Sequence, residues 1–218
     1  MATQYKRPTL SEKRTMTKPI LLWGATGFTG QLVARELAQA KQSGERLILA
    51  GRNQQRLDEV AQSLDGIDVE RRVAEALDKE SLIKLLEGVG VVATTVGPYR
   101  RYGWALAELC AERGIDYVDL CGETPFIRRT IDELHTTAQR SGARLVHACG
   151  FDSIPSDLGA LLLATELQRH GHQIASIQTT VRRLRGGLSG GTLASMLGLV
   201  QDAVRDKNLR RILGHPYS

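Results

Sequence analysis

Cysteine is scarce: Cys110, Cys121 and Cys149 are the only three in 218 residues. An odd number without C-x-x-C spacing excludes a disulfide-stapled scaffold and offers no zinc site. The histidines at 135, 147, 170, 172 and 215 form no metal constellation either. No apolar run approaches a membrane span, which takes ~18 residues or more. The opening MATQYKRPTLSEKRTMTKP has no apolar core, which excludes a secretory signal. Free thiols then point to a reducing cytoplasm, with peripheral contact on the inner face of a membrane as the alternative.

A cationic surface is also lacking. The net charge is +5, but Lys6, Arg7, Lys13, Arg14 and Lys18 against Glu12 place +4 of it in the first eighteen residues. A nucleic-acid footprint needs basic residues grouped on a folded face, so no nucleic-acid partner is expected. Residues 1–18 read as a basic, disordered leader. Familiar catalytic signatures are missing as well. No tyrosine is followed four residues later by lysine, and no H-E-x-x-H helix occurs.

What is present is ordinary globular material, 42% hydrophobic and 24% charged, with 22 glycines. From Pro19 short apolar runs alternate with helical periodicity about six times. Strands are expected at Ile20–Trp23, Arg46–Ala50, Val69–Ala74, Gly90–Val96, Asp116–Leu120 and Arg144–Ala148. Helices are expected at Phe28–Ala40, Gln54–Leu64, Lys79–Leu86, Trp104–Arg113 and Pro125–Gln139. Continuous apolar strands separated by helices specify a doubly wound, mostly parallel α/β sheet, here over residues 19–155. His147, inside a predicted strand, reads as a satisfied core residue. Beyond it lie a helix over Ser156–Arg169, a strand over Ile174–Val181 and a helix from Thr192. One strand and its helices cannot bury a core alone, so residues 156–218 read as the incomplete start of an α+β domain. Apolar surface left uncovered there makes a homo-oligomer an expected outcome.

Gly24-Ala-Thr-Gly27-Phe-Thr-Gly30 joins the first strand to the first helix. Glycines there let a pyrophosphate approach backbone amides at a helix N-terminus, which makes Gly24, Thr26, Gly27, Phe28, Thr29 and Gly30 candidate cofactor residues. No Lys-Ser/Thr pair follows Gly30, which excludes a triphosphate P-loop. The second strand ends Ala50-Gly51-Arg52-Asn53 with no carboxylate to take a ribose 2′-OH. The fork of Arg52 suits a 2′-phosphate, with Gly51 leaving room for it, so NADP is expected over NAD, with Arg52 and Asn53 at its 2′-phosphate. Val96, Gly97, Pro98 and Tyr99 follow the fourth strand, where the nicotinamide is expected. Tyr99, Glu123 and Asp152 are the catalytic candidates, Tyr99 either to face the ring or donate a proton, or simply to cap the sheet where Gly97-Pro98 ends the strand. Glu123 and Asp152 also suit helix starts.

The strings GATGFTG, AGRN, TVGPYRRYG, YVDLCGE, CGFDSIPSDLG and GGLSGGTLAS run in order from Ile20 onward. They resemble the saccharopine dehydrogenase-like oxidoreductase family, including its trans-acting enoyl reductase branch. The resemblance implies a Rossmann NADP-binding domain followed by an α+β substrate domain, in proteins nearly twice this length. It also implies hydride transfer to a C=C bond of a lipid-like substrate or to a C=N bond of a small molecule. Two alternatives stay open: a non-catalytic NADP-binding or lipid-associated protein of this fold, and a truncated, inactive product.

Overall fold

The computed structural model describes residues 18–41, 44–183, 187 and 190–214. The first seventeen residues of the expected leader, half of the glycine-rich stretch 186–191 and residues 215–218 lie outside them.

Six strands form one parallel sheet. They are β1 (Ile20–Trp23), β2 (Leu47–Gly51), β3 (Glu70–Val73), β4 (Val91–Thr94), β5 (Asp116–Asp119) and β6 (Leu145–Val146). Their order is β3-β2-β1-β4-β5-β6, so β1 and β4 meet at the centre, where the winding reverses. Register runs level across the sheet: Trp23 sits beside Ala50 and Thr94, and Thr94 beside Asp119. Side chains alternate between faces along each strand, and two cores result. Leu22, Leu47 and Leu49 pack under α1 (Phe28–Ala40) and α2 (Gln54–Gln62), through Ala34, Ala38, Leu57 and Val60. Leu21, Trp23, Ile48 and Val92 pack under α3 (Lys79–Leu85), α5 (Trp104–Arg113) and α6 (Thr124–Ser141). Small residues on α1 allow a close approach to the strands, whereas Leu106, Leu109 and Phe126 fill the wider opposite face.

Helix ends follow local chemistry. Asp78 Oδ1 accepts the Glu80 and Ser81 amides at the start of α3. Gly114 and Gly142 close α5 and α6 in the left-handed conformation. The edge strand β3 is charged, and Glu70 takes Arg46 at 2.6 Å and Arg72 at 2.7 Å.

Four further helices are α4 (Tyr99–Tyr102), α7 (Ile154–Arg169), α8 (Gly190–Arg205) and α9 (Lys207–Gly214). The short α4 carries no sequence signal of its own. The strand expected at Ile174–Val181 does not form, although its residues favour one. A strand needs a partner, and no described strand pairs with this segment. The segment is exposed along nearly all its length. None of the side chains of α7 is buried, and Leu158, Leu161 and Leu162 stand in solvent. Leu193, Leu197, Val200 and Val204 make a similar exposed stripe on α8. No described helix is long and apolar enough to cross a membrane.

Candidate functional site

The candidate residues gather at the carboxyl edge of the sheet. After β1 the chain turns at Gly24 with φ +92°. The Gly24 and Ala25 amides both donate to the Ala50 carbonyl, at 2.9 and 3.1 Å, which ties the loop to β2. A Cβ on Gly24 would lie 2.7 Å from both Thr95 Oγ1 and Val96 Cγ2. A Cβ on Gly30 would stand 2.0 Å from the Gly24 carbonyl oxygen, so α1 lies flush on the loop. Thr95, which sequence reasoning overlooked, donates its hydroxyl to that same oxygen at 3.2 Å. A lone threonine after a strand gives no warning of such a latch.

Gly27 is the N-cap residue of α1, without a side-chain cap and with no acid in the first turn. The amides of Phe28, Thr29 and Gly30 meet no acceptor among the described residues. Thr26 and Thr29 are half-buried beside them, and the Phe28 side chain is exposed. Unpaired donors at the positive end of a 13-residue helix, bared by glycine, fit a pyrophosphate.

Arg52 and Asn53 lead out of β2, both exposed. Arg52 pairs with no described carboxylate, so its guanidinium is available to an anion. The Asn53 Oδ1 accepts the Arg56 amide at 3.0 Å and caps α2, which leaves its Nδ2 group for a ligand. Beside them Gly51 is bordered by Thr26 and Leu57 at ordinary contact distance, 3.5 and 3.6 Å from the position of a Cβ.

Val96, Gly97 and Pro98 sit half-buried beyond β4, with the Gly97–Pro98 peptide cis. Tyr99 points inward from this turn, which is the sheet-capping one of its two readings. It is buried; its hydroxyl donates to the Thr94 carbonyl at 3.2 Å and accepts the Leu120 amide at 3.3 Å. Burial, then the Asp119 carboxylate, holds its pKa well above the usual tyrosine value. Tyr99 is thus a staple between the ends of β4 and β5. Glu123 is 5% exposed and occupies the N-cap position of α6 without capping it. Its carboxylate instead accepts the Tyr99 amide (2.8 Å), the Arg100 amide (3.0 Å) and the Ser195 hydroxyl of α8 (2.9 Å). Asp152 is exposed just before α7, and no described contact joins it to Tyr99 or Glu123. The structure thus unites two of the three catalytic candidates and leaves Asp152 apart. Ser195 ends the GGLSGGTLAS string, and no local signal there marks it as a site residue.

Next to this group His147 places Nδ1 2.7 Å from Asp119 Oδ2 and Nε2 2.7 Å from Thr130 Oγ1. Both ring nitrogens are engaged, as in a satisfied core histidine. Burial pushes the Cys110 and Cys121 thiols up, away from reactive thiolate. No described group of three His, Cys, Asp or Glu side chains could hold a metal ion.

Comparison with known proteins agrees with this geometry. A protein of Mycobacterium tuberculosis (strain H37Rv), provisionally named a trans-acting enoyl reductase, is 44% identical over 202 residues. The trans-acting enoyl reductase of Mycobacterium ulcerans (strain Agy99) is 40% identical over 203 residues. Each alignment covers 91% of this chain and 48% of the relative. The chain therefore spans about half the length of the curated relatives it matches. Among solved structures, apo saccharopine dehydrogenase (L-Glu forming) from Saccharomyces cerevisiae matches with a TM-score of 0.58 at 20% identity. That match covers 71% of this chain and 32% of the yeast protein, and it shows the shared Rossmann-like fold. The family model for the saccharopine dehydrogenase NADP-binding domain matches residues 20–146, from β1 through β6. With the glycine loop, the open start of α1 and the free guanidinium of Arg52 all inside that span, the chain belongs to the saccharopine dehydrogenase NADP-binding domain family.

Proposed function

We propose that residues 19–155 hold NADP(H) along the carboxyl edge of the sheet, in a reductase of C=C or C=N bonds. The observation that carries this is the pairing of the bare α1 N-terminus with Arg52. The Phe28, Thr29 and Gly30 amides would take the pyrophosphate, Arg52 and Asn53 the 2′-phosphate, and the Val96–Pro98 turn the nicotinamide. The bound group supplies a hydride for the reduced carbon. For its part the chain holds the loop rigid through Ala50 and Thr95, closes the end of β4 with Tyr99, and leaves Asp152 as an accessible carboxylate. The mycobacterial relatives' name favours an enoyl substrate, lipid-like in character, over an imine. Residues 156–218 then belong to the substrate side of the protein.

NADPH oxidation followed at 340 nm tests the proposal, with an α,β-unsaturated thioester in one arm and a mixture of an amino acid and an aldehyde in the other. Binding of NADPH with turnover of the thioester supports the enoyl reading, and turnover of the imine alone replaces it. Failure to bind NADPH overturns both.

A further inference from the structure

Ser195 sits near the start of α8, outside the span of the NADP-binding domain model, yet its hydroxyl borders the expected nicotinamide turn. Its Oγ lies 3.5 Å from where a Cβ on Gly97 would stand. We propose that Ser195 Oγ accepts a hydrogen bond from the carboxamide N–H of the nicotinamide, with Glu123 setting the polarity of the hydroxyl. This rests on the NADP reading above.

Polarity is decided by proton bookkeeping. A serine hydroxyl has one proton to give and two lone pairs to offer. The Ser195 proton goes to Glu123 Oε1 at 2.9 Å. The Glu123 carboxylate has nothing to donate in return and is held in place by the Tyr99 and Arg100 amides. The Ser195 oxygen therefore presents only lone pairs, and no described donor occupies them. It is half-buried, so a ligand can reach it. A carboxamide nitrogen carries two N–H donors, which such an oxygen suits; a carbonyl oxygen in that position would find no donor.

The helix carrying Ser195 is fastened at a second point. Arg100 Nη1 donates to Asp202 Oδ2 at 2.8 Å. Asp202 lies seven residues after Ser195, on the same face of α8. Both contacts end on α4 or on the carboxylate that holds its first amides. The hydroxyl is thus fixed relative to the Gly97–Pro98 turn.

Calorimetric titration of the full chain tests the assignment with three probes. These are NADP+, its 3-acetylpyridine analogue, whose acetyl group keeps the carbonyl and lacks the N–H donors, and 2′,5′-ADP. Ser195→Ala should weaken NADP+ binding about three- to tenfold, the scale of one neutral hydrogen bond. Binding of the acetylpyridine analogue and of 2′,5′-ADP should change by less than about twofold. An unchanged NADP+ affinity, or equal losses for NADP+ and the analogue, would overturn the role of Ser195. A parallel loss for 2′,5′-ADP would make the serine structural and overturn it too. Failure of 2′,5′-ADP to bind the unmutated chain sinks the NADP site itself, a distinct result.

Discussion

The Tyr99 amide donates to the Glu123 carboxylate at 2.8 Å, joining two residues 24 positions apart across the ends of β4 and β5. Both had the chemistry of acid–base catalysts. In the structure Glu123 holds the first turn of α4 and the Ser195 hydroxyl, and the Tyr99 hydroxyl bonds to Thr94 and Leu120.

Tyr99→Phe should therefore act on stability. It removes the acceptor of the Leu120 amide and the donor to the Thr94 carbonyl in a buried setting, a loss of about 1–3 kcal/mol. Urea denaturation should show a lower midpoint with an unchanged slope. NADPH affinity should stay within about twofold of the parent, and a selective loss of turnover with full stability would restore Tyr99 as a catalyst.

Arg52→Ala should discriminate between nucleotides. A charge-assisted hydrogen bond is worth about 1.5–3 kcal/mol, so the NADPH Kd should rise about 10- to 150-fold. NADH should bind nearly as before, and the NADPH effect should shrink with added salt. Arg56→Ala, exposed one turn further on, should change NADPH binding less than about threefold. Fluorescence titration of both nucleotides reads these differences, and equal losses for NADH and NADPH would make Arg52 structural.

Two glycines of the loop should separate folding from binding. A Cβ on Gly30 would meet backbone at 2.0 Å, which no side-chain rotation relieves. Gly30→Ala should cost about 1–3 kcal/mol or more and abolish NADPH binding. A Cβ on Gly27 would stand 3.4 Å from its nearest neighbour, and the residue has φ −76°. Gly27→Ala should melt close to the parent but bind NADPH more weakly, because the new methyl group occupies the approach of the pyrophosphate. Melting curves with and without NADPH distinguish the two.

Burial alone would lift the Glu70 carboxyl, but hydrogen bonds from Arg72 and Arg46 outweigh it and hold its pKa below the ordinary 4.5. A depressed carboxyl contributes stability above its unfolded pKa and loses it as pH falls through the folded value. The advantage of the parent over Glu70→Gln should be flat above about pH 5.5 and shrink below about pH 4.5. Melting temperatures of both across pH 3–7 check it, and a difference constant down to pH 3 would count against the pairing.

The sheet was legible because its signals are local. Ile20–Trp23 and Leu47–Gly51 are continuous apolar runs, and burial on both faces accounts for them. The glycine loop was legible for the same reason, since Gly30 is required by its contact with Gly24 six residues back and Gly24 by its own positive φ, although the Thr95 and Val96 side chains that also crowd Gly24 come from far along the chain. Ser195 was not, because its partner Glu123 lies 72 positions away and neither residue advertises the other. Tyr99 was legible only as a pair of readings, ring-facing or sheet cap, since the choice depends on which neighbour captures the α4 amides. Ile174–Val181 misled in the opposite sense: its β-branched residues fit a strand that has no described partner.

The position of β1 has a kinetic consequence. It is hydrogen-bonded on both sides, to β2 and β4, and roofed by helices on both faces. Its amides can exchange with deuterated solvent only when the whole sheet opens, whereas α7, with no buried side chain, can open locally at little cost. The most protected strand runs directly into Gly24 and Ala25, whose amides remain bonded to Ala50. The glycine loop thus inherits the rigidity of the centre of the sheet. A nucleotide bound there as proposed would meet a loop already shaped, so little backbone ordering would be charged against its binding.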